Sequence, residues 1–221
     1  MTSSKKKANK SIIPEPALRR LPWYLSFVKM LRMQGESLVS STRIARGVGV
    51  DAALVAKDLS YVNLQGRTRV GYRVEEMVEV LEAFLGFTIE HRAVLLGVGN
   101  LGAALLADKG LAQFGLEIVA AYDVSEAVVG QVVSDVPVYH IDALEEMIAE
   151  QEAQIAILTV PIGQAQLMAD KVTQLGFKAI WNFTPVRIQV PEPLVVQNTS
   201  LYAHLAVMFS RISTAQALSQ P

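Results

Sequence analysis

The chain has 221 residues, of which 51% are hydrophobic and 19% charged, and its net charge is −1. This composition is too apolar for a disordered chain and suffices for the cores of one or two domains. The longest apolar stretch contains glycines and is too short for a membrane span, and no secretory signal is expected. The absence of cysteine excludes disulfides and thiolate metal sites and favours a reducing, cytoplasmic location.

The net charge near zero hides two parts of opposite sign. Residues 1–73 contain 14 lysines and arginines against 4 acidic residues, whereas the remainder contains 6 against 17. The four lysines of a polar tail, residues 1–13, explain only part of this excess, because the first part has a net charge of +6 without them. A basic part joined to an acidic one is typical of a nucleic-acid-binding module attached to another domain.

The first predicted helix follows a segment that contains three prolines. Pro14, Pro16 and Pro22 indicate an extended approach, so the helix is expected to begin near Trp23 and to end at Gly35.

Two short helices are predicted next. The first covers about residues 42–46 behind a cap at Ser40 or Ser41, and the second runs from its cap Asp51 to about residue 60. A Gly-Val-Gly-Val turn separates them. Two helices joined by a short glycine-containing turn predict a helix-turn-helix.

A basic hairpin and a closing helix complete the predicted N-terminal domain. Residues 64–74 contain two glycines and alternate basic with β-prone residues, which predicts a small β-hairpin, or wing. Residues 75–85 form an acidic amphipathic pattern, so the domain is expected to span residues 14–86.

The rest of the chain alternates short apolar runs with helical patterns, which predicts a parallel sheet with helices on both faces. The predicted strands are residues 93–96, 117–122, 137–139, 154–160, 178–182 and 194–196, and the predicted helices are residues 101–113, 143–150 and 164–175. The fold class is therefore α/β: a winged helix-turn-helix domain, a Rossmann-like domain at residues 87–199, and a C-terminal helix and tail at residues 200–221.

A glycine-rich loop lies between the first strand and the first helix of the predicted sheet. Its sequence is Gly97-Val98-Gly99-Asn100-Leu101-Gly102, the G-x-G-x-x-G pattern. In this context Gly97 permits a tight turn, Gly99 lets the backbone approach a pyrophosphate, and Gly102 lets the helix pack closely on the strand. The loop therefore predicts a dinucleotide site.

An acidic residue, Asp123, ends the second predicted strand, 21 residues beyond Gly102. A carboxylate at this place accepts hydrogen bonds from a ribose and repels a 2′-phosphate, so NAD(H) is favoured over NADP. A core of this kind that binds coenzyme A, or that uses its glycines only for packing, stays an alternative.

Basic side chains fall on both short helices and on the hairpin, where they can reach phosphates and base edges of DNA. These candidate DNA contacts are Arg43, Arg46, Lys57, Arg67, Arg69 and Arg73. A solvated basic face explains any one of them, but the set favours double-stranded DNA. Ser41 can act as a helix cap, as a phosphate contact, or as both.

These features resemble the Rex-type redox-sensing transcriptional repressors, in which a winged helix is fused to an NAD(H)-binding Rossmann domain. The resemblance covers residues 13–212. Its motifs are RLPxY at 20–24, SS at 40–41, KDLSY at 57–61, VGY at 70–72, the glycine loop, residues 115–123, TVP at 159–161 and NFxP at 182–185. The resemblance implies a homodimer with exchanged C-terminal helices that leaves its operator DNA when NADH replaces NAD.

The resemblance also implies further site residues. Pro161 and Asn182 are expected beside the cofactor, and Tyr72 beside the DNA. In the family a tyrosine, an aspartate and an arginine form a relay that responds to the nicotinamide charge; the arginine is Arg20 here, but Asp108 stands at the tyrosine position and Ser200 at the aspartate position. Two interpretations stay open. In the first, Asp108 lies at the cofactor and supplies the negative charge that Ser200 lacks. In the second, the relay is lost.

Several positions depart from the family pattern at the DNA surface, among them Val62, Asn63 and Gln65 at the glycine and aromatic positions that follow the KDLSY motif. A recognition-helix arginine is Ala56 here, and a wing glycine is Arg69. The family's operator sequence is therefore not assumed for this chain, whereas affinity for DNA phosphates is expected to remain because Lys57 and the basic wing are present.

The C-terminal segment carries one apolar stripe at helical spacing, which the resemblance assigns to the dimer. The stripe consists of Leu201, Leu205, Met208, Phe209 and Ile212.

The rival function is an NAD-dependent dehydrogenase, which needs an acid or base beside the nicotinamide. Among three histidines only His140 follows a strand suitably, without an evident partner, so neither an enzyme nor a metal site is expected.

Overall fold

The computed structural model describes residues 13–218. The chain divides into two compact units, and the boundary lies between Ile89 and Glu90. Apart from Ile13, the predicted basic tail lies outside the described residues. No helix within residues 13–218 is long and apolar enough to cross a membrane.

The first unit packs its helices around one apolar core. Its elements are α1 (Glu15–Met33), β1 (Leu38–Val39), α2 (Ser41–Val48), α3 (Ala52–Tyr61), β2 (Tyr72–Arg73) and α4 (Val74–Leu85). Leu25, Ile44, Leu59 and Met77, one from each helix, are completely buried in this core. The short strands β1 and β2 pair in antiparallel orientation.

Helix α1 begins earlier than predicted, and the expected extended approach is wrong. Pro14 is the residue before the helix and Pro16 lies in its first turn, where a backbone N–H has no helical partner to lose. Pro22 lies inside the helix. It deprives the carbonyl of Leu18 of its usual N–H partner, but Leu18 is 39% exposed, so water can reach that end of the turn.

The capping residues of the predicted helix-turn-helix are confirmed. The Ser40 hydroxyl accepts a hydrogen bond from the N–H of Arg43 at 3.1 Å, and the Asp51 carboxylate accepts one from Ala53 at 2.7 Å. Gly49 ends α2 in the left-handed conformation with φ of 74°. Because α2 continues through Val48, the turn before α3 is shorter than predicted.

The predicted wing hairpin is only partly regular. Its two arms meet at one isolated bridge, where Arg67 and Gly71 exchange hydrogen bonds of 2.8 Å in both directions. The regular pairing in this region joins β2 to β1, which the sequence did not predict. Gly71 is required here, because its φ is 89° and a Cβ would overlap the carbonyl oxygen of Val39.

The second unit is a seven-stranded sheet with the order β5-β6-β4-β3-β7-β8-β9. Its elements are β3 (His91–Leu96), α5 (Asn100–Ala107), α6 (Gly110–Gln113), β4 (Leu116–Asp123), β5 (Val132–Val133), β6 (Val136–His140), α7 (Leu144–Gln151), β7 (Ile155–Leu158), α8 (Ala165–Gln174), β8 (Ala179–Asn182), β9 (Val195–Asn198) and α9 (Leu201–Leu218). All neighbouring strands are parallel except β5 and β6.

Helices cover both faces of this sheet, as predicted. Ala93 and Leu95 of β3 share one apolar cluster with Leu106 of α5. Val94 and Leu96 point to the other face, where α7 and α8 pack. From β6 to β9 the strand order is that of a Rossmann fold, in which the ligand crevice opens between the carboxyl ends of β3 and β7.

Candidate functional sites

The glycine loop connects β3 to α5 and is fixed against the end of β7. Gly97 has a φ of 99°, and a Cβ on it would lie 2.9 Å from the carbonyl oxygen of Thr159. The Thr159 hydroxyl donates a hydrogen bond of 2.6 Å to the Gly97 carbonyl. The tight turn that the sequence predicted at Gly97 therefore exists, and only glycine fits it.

The other two glycines of the motif differ in what surrounds them. A Cβ on Gly102 would overlap the Gly97 carbonyl oxygen, so this glycine permits the close approach of α5 to the loop. A Cβ on Gly99 would meet nothing within 4 Å. Gly99 also precedes α5 without a side chain that could cap it, so no side chain occupies the first-turn N–H groups at the N-cap. An uncapped helix N-terminus behind a glycine loop has the features that an anion such as a pyrophosphate requires.

The carboxylate of Asp123 lies next to this loop, at the end of β4. It accepts hydrogen bonds from the backbone N–H of Val98 at 2.6 Å and from Val124 and Ser125, both at 2.8 Å. A carboxylate has about four acceptor positions, so it can still accept a bond from a ribose hydroxyl. Asp123 therefore holds the glycine loop in addition to the predicted ribose contact.

A cleft of about 260 Å³ opens beside Asp123 and Gly97. Its walls are mainly apolar, with Val124, Ile141 and Met168 among the residues that line it. Pro161, which was predicted at the cofactor site, lines the same cleft. Apolar walls next to a carboxylate fit an adenosine, whose flat base is apolar on its faces and whose ribose carries hydroxyls.

Asn182 does not have the role that was predicted for it. It is completely buried, and its side-chain nitrogen donates to the Val186 carbonyl and to Asn198, both at 2.8 Å. Its side-chain oxygen accepts bonds from the N–H and the hydroxyl of Thr184, at 3.0 and 2.7 Å. Because these bonds use the full capacity of the amide, Asn182 shapes the following loop and does not bind a cofactor directly.

The two altered relay positions lie at helix ends. Asp108 ends α5, at the opposite end from the glycine loop, and accepts a hydrogen bond of 2.7 Å from Gly110. This bond breaks the single helix predicted for residues 101–113. Asp108 lines a different cleft from Gly97, so within one chain it is not a cofactor ligand, contrary to the prediction. Ser200 precedes α9, and its hydroxyl accepts a bond of 3.2 Å from Ala203.

In the first unit, the basic residues predicted to contact DNA are exposed: Arg43, Arg46, Lys57, Arg67, Arg69 and Arg73. Ser41 is partly buried at the start of α2, while Ser40 provides the cap. Arg43 forms an ion pair of 2.9 Å with Glu36, and this hydrogen bond lowers the pKa of the Glu36 carboxyl. The exposed set presents positive charge on both helices of the motif and on the wing.

Tyr72 was predicted to contact DNA, but it is buried. Only 7% of the residue is exposed, and burial raises the pKa of its hydroxyl. A Cβ on Gly66 would lie 2.9 Å from the Tyr72 ring, so the ring supports the wing from inside. Tyr72 is therefore a structural residue of the wing.

Arg20 has a partner that the sequence interpretation missed. Its guanidinium forms an ion pair of 2.7 Å with Asp58 on α3. Asp58 occupies the buried face of that helix together with Val55 and Leu59. The spacing of Asp58 among apolar residues of α3 is a sequence signal that the carboxylate is buried and needs a partner, but it does not identify Arg20 as that partner.

No group of three or more histidines and acidic residues that could hold a metal occurs within residues 13–218. His140 does have a partner, contrary to the expectation, since its Nδ1 lies 3.2 Å from Asp142. Both side chains are exposed.

Two family models match the chain. Residues 12–60 match the model described as "Putative DNA-binding protein N-terminus", and residues 88–186 match the model described as "CoA binding domain".

Curated proteins and solved structures cover most of the chain. The redox-sensing transcriptional repressor Rex of Porphyromonas gingivalis is 62% identical over 202 residues, which are 91% of this chain and 93% of that protein. The Rex protein of Bacteroides thetaiotaomicron is 59% identical over 201 residues, 91% of each chain.

The structure of the repressor RSP with β-NAD⁺ and operator DNA has a TM-score of 0.88 and 29% identity, and the match covers 94% of this chain and 96% of that one. The structure of RSP with β-NADH has a TM-score of 0.85 and 28% identity, and its match covers 94% and 98%. By its sequence identity over nine-tenths of its length, this chain belongs to the family of Rex redox-sensing transcriptional repressors.

Proposed function

We propose that this protein is a transcriptional repressor that binds operator DNA as a homodimer and is released when NADH replaces NAD. The observation that carries the proposal is the open glycine loop beside Asp123, in one chain with a helix-turn-helix whose basic residues are exposed. The RSP structures, with NAD⁺ and operator DNA and with NADH, support it. Because operator DNA and the NAD(H) pool occur together there, we place the protein in the cytoplasm.

The residues present fit a dinucleotide. The pyrophosphate would face the N-terminus of α5 at Gly99, the ribose would face Asp123, and the adenine would enter the cleft lined by Val124 and Pro161. The bound cofactor supplies a nicotinamide ring that is positive in NAD and neutral in NADH. A ligand shifts a conformational equilibrium only through its different affinities for the two states, so the switch depends on groups that sense this charge.

The charge-sensing relay is the part of the proposal that this chain alters. Arg20 is present, but Asp108 and Ser200 replace a tyrosine and an aspartate of the family pattern. Asp108 is exposed at the end of α5, where a partner subunit could bring it near a second cofactor site. Either this carboxylate replaces the missing charge, or the repressor keeps its cofactor without the switch.

The stripe of α9 is the proposed dimer contact. Leu201, Leu205, Met208, Phe209 and Ile212 are 40–57% exposed. Exposure of adjacent large apolar side chains on one helix is unfavourable in water, so we propose that the partner subunit covers them.

Coenzyme A is the second candidate ligand, because a model described as a CoA binding domain matches residues 88–186. Coenzyme A carries a phosphate on its ribose, and the Asp123 carboxylate would repel it. Competition between NADH and coenzyme A for the purified protein separates these ligands.

An enzymatic activity is not proposed. His140, the one histidine considered as an acid or base, ends β6 beside Asp123 of β4. Strands β4 and β6 belong to the half of a Rossmann sheet that binds adenosine. Hydride transfer takes place at the nicotinamide, so His140 is placed on the wrong side to act as its acid or base.

The proposed function is tested by measuring operator affinity of the dimer without ligand, with NAD and with NADH, on sites enriched from a random DNA library. We expect NADH to release the DNA and NAD to leave it bound. Equal affinity in all three conditions, with NADH binding shown separately, would contradict redox control but not DNA binding.

The wing arginine Arg67 is expected to contact the DNA backbone. In the Arg67→Ala variant, affinity should fall similarly for all DNA sequences, and the slope of log K against log salt should flatten by about one. Lys178→Ala removes an exposed positive charge from the second unit and serves as the control. An unchanged slope for Arg67→Ala would remove the wing from the DNA contacts.

Arg69 has an unfavourable backbone conformation, with φ of 64°. Glycine adopts this conformation without strain, so Arg69→Gly should increase the free energy of unfolding by about 0.5–1 kcal/mol. It should also flatten the salt slope of DNA binding, because a phosphate-directed charge is lost. Chemical denaturation measures the free energy of unfolding. A lower value for Arg69→Gly than for the unaltered chain would contradict the proposal that the Arg69 backbone is strained.

A further inference from the structure

Asp58 carries a buried negative charge in the DNA-reading part of the molecule. It is 1% exposed and is the one acidic residue among the buried residues of the described chain. It lies on α3, next to the exposed residues Ala56 and Lys57. A buried carboxylate is unfavourable unless it is paired and hydrogen-bonded, so the partners of Asp58 decide what it does.

Two residues of α1 donate three hydrogen bonds to this carboxylate. Arg20 binds both oxygens, with Nε to Oδ2 at 2.7 Å and Nη2 to Oδ1 at 2.9 Å. The Tyr24 hydroxyl donates to Oδ2 at 2.8 Å. Arg20 and Tyr24 are one helical turn apart, so both reach Asp58 from the same face of α1.

The two donors of this cluster, Arg20 and Tyr24, both keep their protons at physiological pH. Burial, followed by the hydrogen bond to Asp58, raises the pKa of Tyr24 to about 12, so the hydroxyl stays a donor. The hydrogen bond to Asp58 also raises the pKa of Arg20 above its ordinary value.

The geometry of the cluster restricts the rotation of α3 more than apolar packing does. Val55 and Leu59 are the apolar residues that α3 buries on either side of Asp58, and the attraction between apolar groups has no preferred direction. A planar, two-point bond between a guanidinium and a carboxylate has a defined direction and distance. The orientation of the exposed face of α3 therefore depends on Arg20, Tyr24 and Asp58.

We propose that Asp58 is the positioning residue of the recognition helix: with Arg20 and Tyr24 it fixes the rotation of α3, and thereby the discrimination between operator and other DNA. The inference rests on the proposed DNA binding. The Arg20–Asp58 ion pair is expected to contribute little to the free energy of unfolding, because buried ion pairs commonly add little compared with an apolar replacement.

The test compares operator affinity with affinity for unrelated DNA, without NAD(H), in four variants. Asp58→Asn and Tyr24→Phe weaken the cluster, Arg20→Met/Asp58→Leu replaces the ion pair by apolar side chains, and Glu79→Gln, an exposed acid of α4, is the control. Thermal unfolding and the NADH dissociation constant are measured on each.

We expect Asp58→Asn to lower the ratio of operator to unrelated-DNA affinity about 30-fold, Tyr24→Phe about fivefold and Glu79→Gln not at all, with NADH affinity unchanged. The double variant should regain the unfolding temperature lost in Asp58→Asn but not the discrimination. If Asp58→Asn does not fold, the double variant still shows whether the ion pair determines DNA discrimination.

A double variant with both wild-type stability and wild-type discrimination would overturn the proposal, because the pair would then be structural only. So would an Asp58→Asn protein with an unchanged ratio. If the unaltered chain and the Glu79→Gln control both failed to enrich any operator site from the library, the proposed DNA binding itself would be contradicted. This outcome is distinct from failure of the role proposed for Asp58.

Discussion

In the Asp123→Ala variant, we expect the affinity for NADH to fall about 100-fold, equivalent to about 2.7 kcal/mol. Two losses add up. The ribose loses a charged acceptor, and the N–H of Val98 loses its partner at 2.6 Å, so the glycine loop is held less well. Isothermal titration with NADH measures the effect, and thermal unfolding shows that the variant is folded.

The control for this variant is Asp170→Ala, which removes an exposed carboxylate of α8 that accepts a bond from Gln166. It should bind NADH as the unaltered chain does. Asp123→Asn tests the charge. Its one side-chain oxygen can still accept from the Val98 N–H, but its NH₂ group cannot accept from Val124 and Ser125, and the negative charge is lost, so NADPH should gain affinity relative to NADH. Unchanged NADH affinity in Asp123→Ala would contradict the ribose assignment.

The dinucleotide site could be predicted from the sequence because its geometry is local. Gly97 is required by its positive φ, and Gly102 by the close approach of the Gly97 carbonyl within the same strand-loop-helix unit, whereas a Cβ on Gly99 would meet only open space. Asp123 could be placed because the end of β4 lies beside the end of β3 in any sheet of this order. The position of a residue that directly follows a strand can therefore be predicted from the sequence alone.

Residues whose role depends on distant packing were not predictable in this way. Tyr72 and Asn182 belong to recognisable motifs, but the structure turns both side chains inward, where they support loops. The pairing of Arg20 with Asp58 joins positions 38 residues apart, which no local pattern reveals. Motifs thus located the functional regions but did not separate ligand contacts from the residues that support them.

The prolines of α1 show a different limit. Their usual effect is to end helices, and from the sequence they predict an extended segment. In the folded chain, Leu21, Tyr24 and Leu25 are completely buried around Pro22. Burial of these side chains outweighs the loss of one backbone hydrogen bond, which is worth about 1 kcal/mol, against about 1.5–3 kcal/mol for each buried apolar side chain.

The apolar stripe of α9 should determine whether the protein is a dimer. Phe209 is 57% and Leu205 is 40% exposed in the single chain. If the partner subunit covers this face, a charge at Phe209 must be buried without a partner when the dimer forms. In Phe209→Asp, we therefore expect the dimer dissociation constant to rise at least about 100-fold, as measured by sedimentation or multi-angle light scattering.

The matched control is Ser210→Asp, which adds the same charge one residue further along, on the opposite side of the helix from the stripe. It should remain dimeric. Operator affinity should fall in Phe209→Asp but not in Ser210→Asp, because a two-fold symmetric protein reads two half-sites and a monomer reads one. A fully dimeric Phe209→Asp protein would place the dimer contact elsewhere, and the exposed stripe would then need another partner.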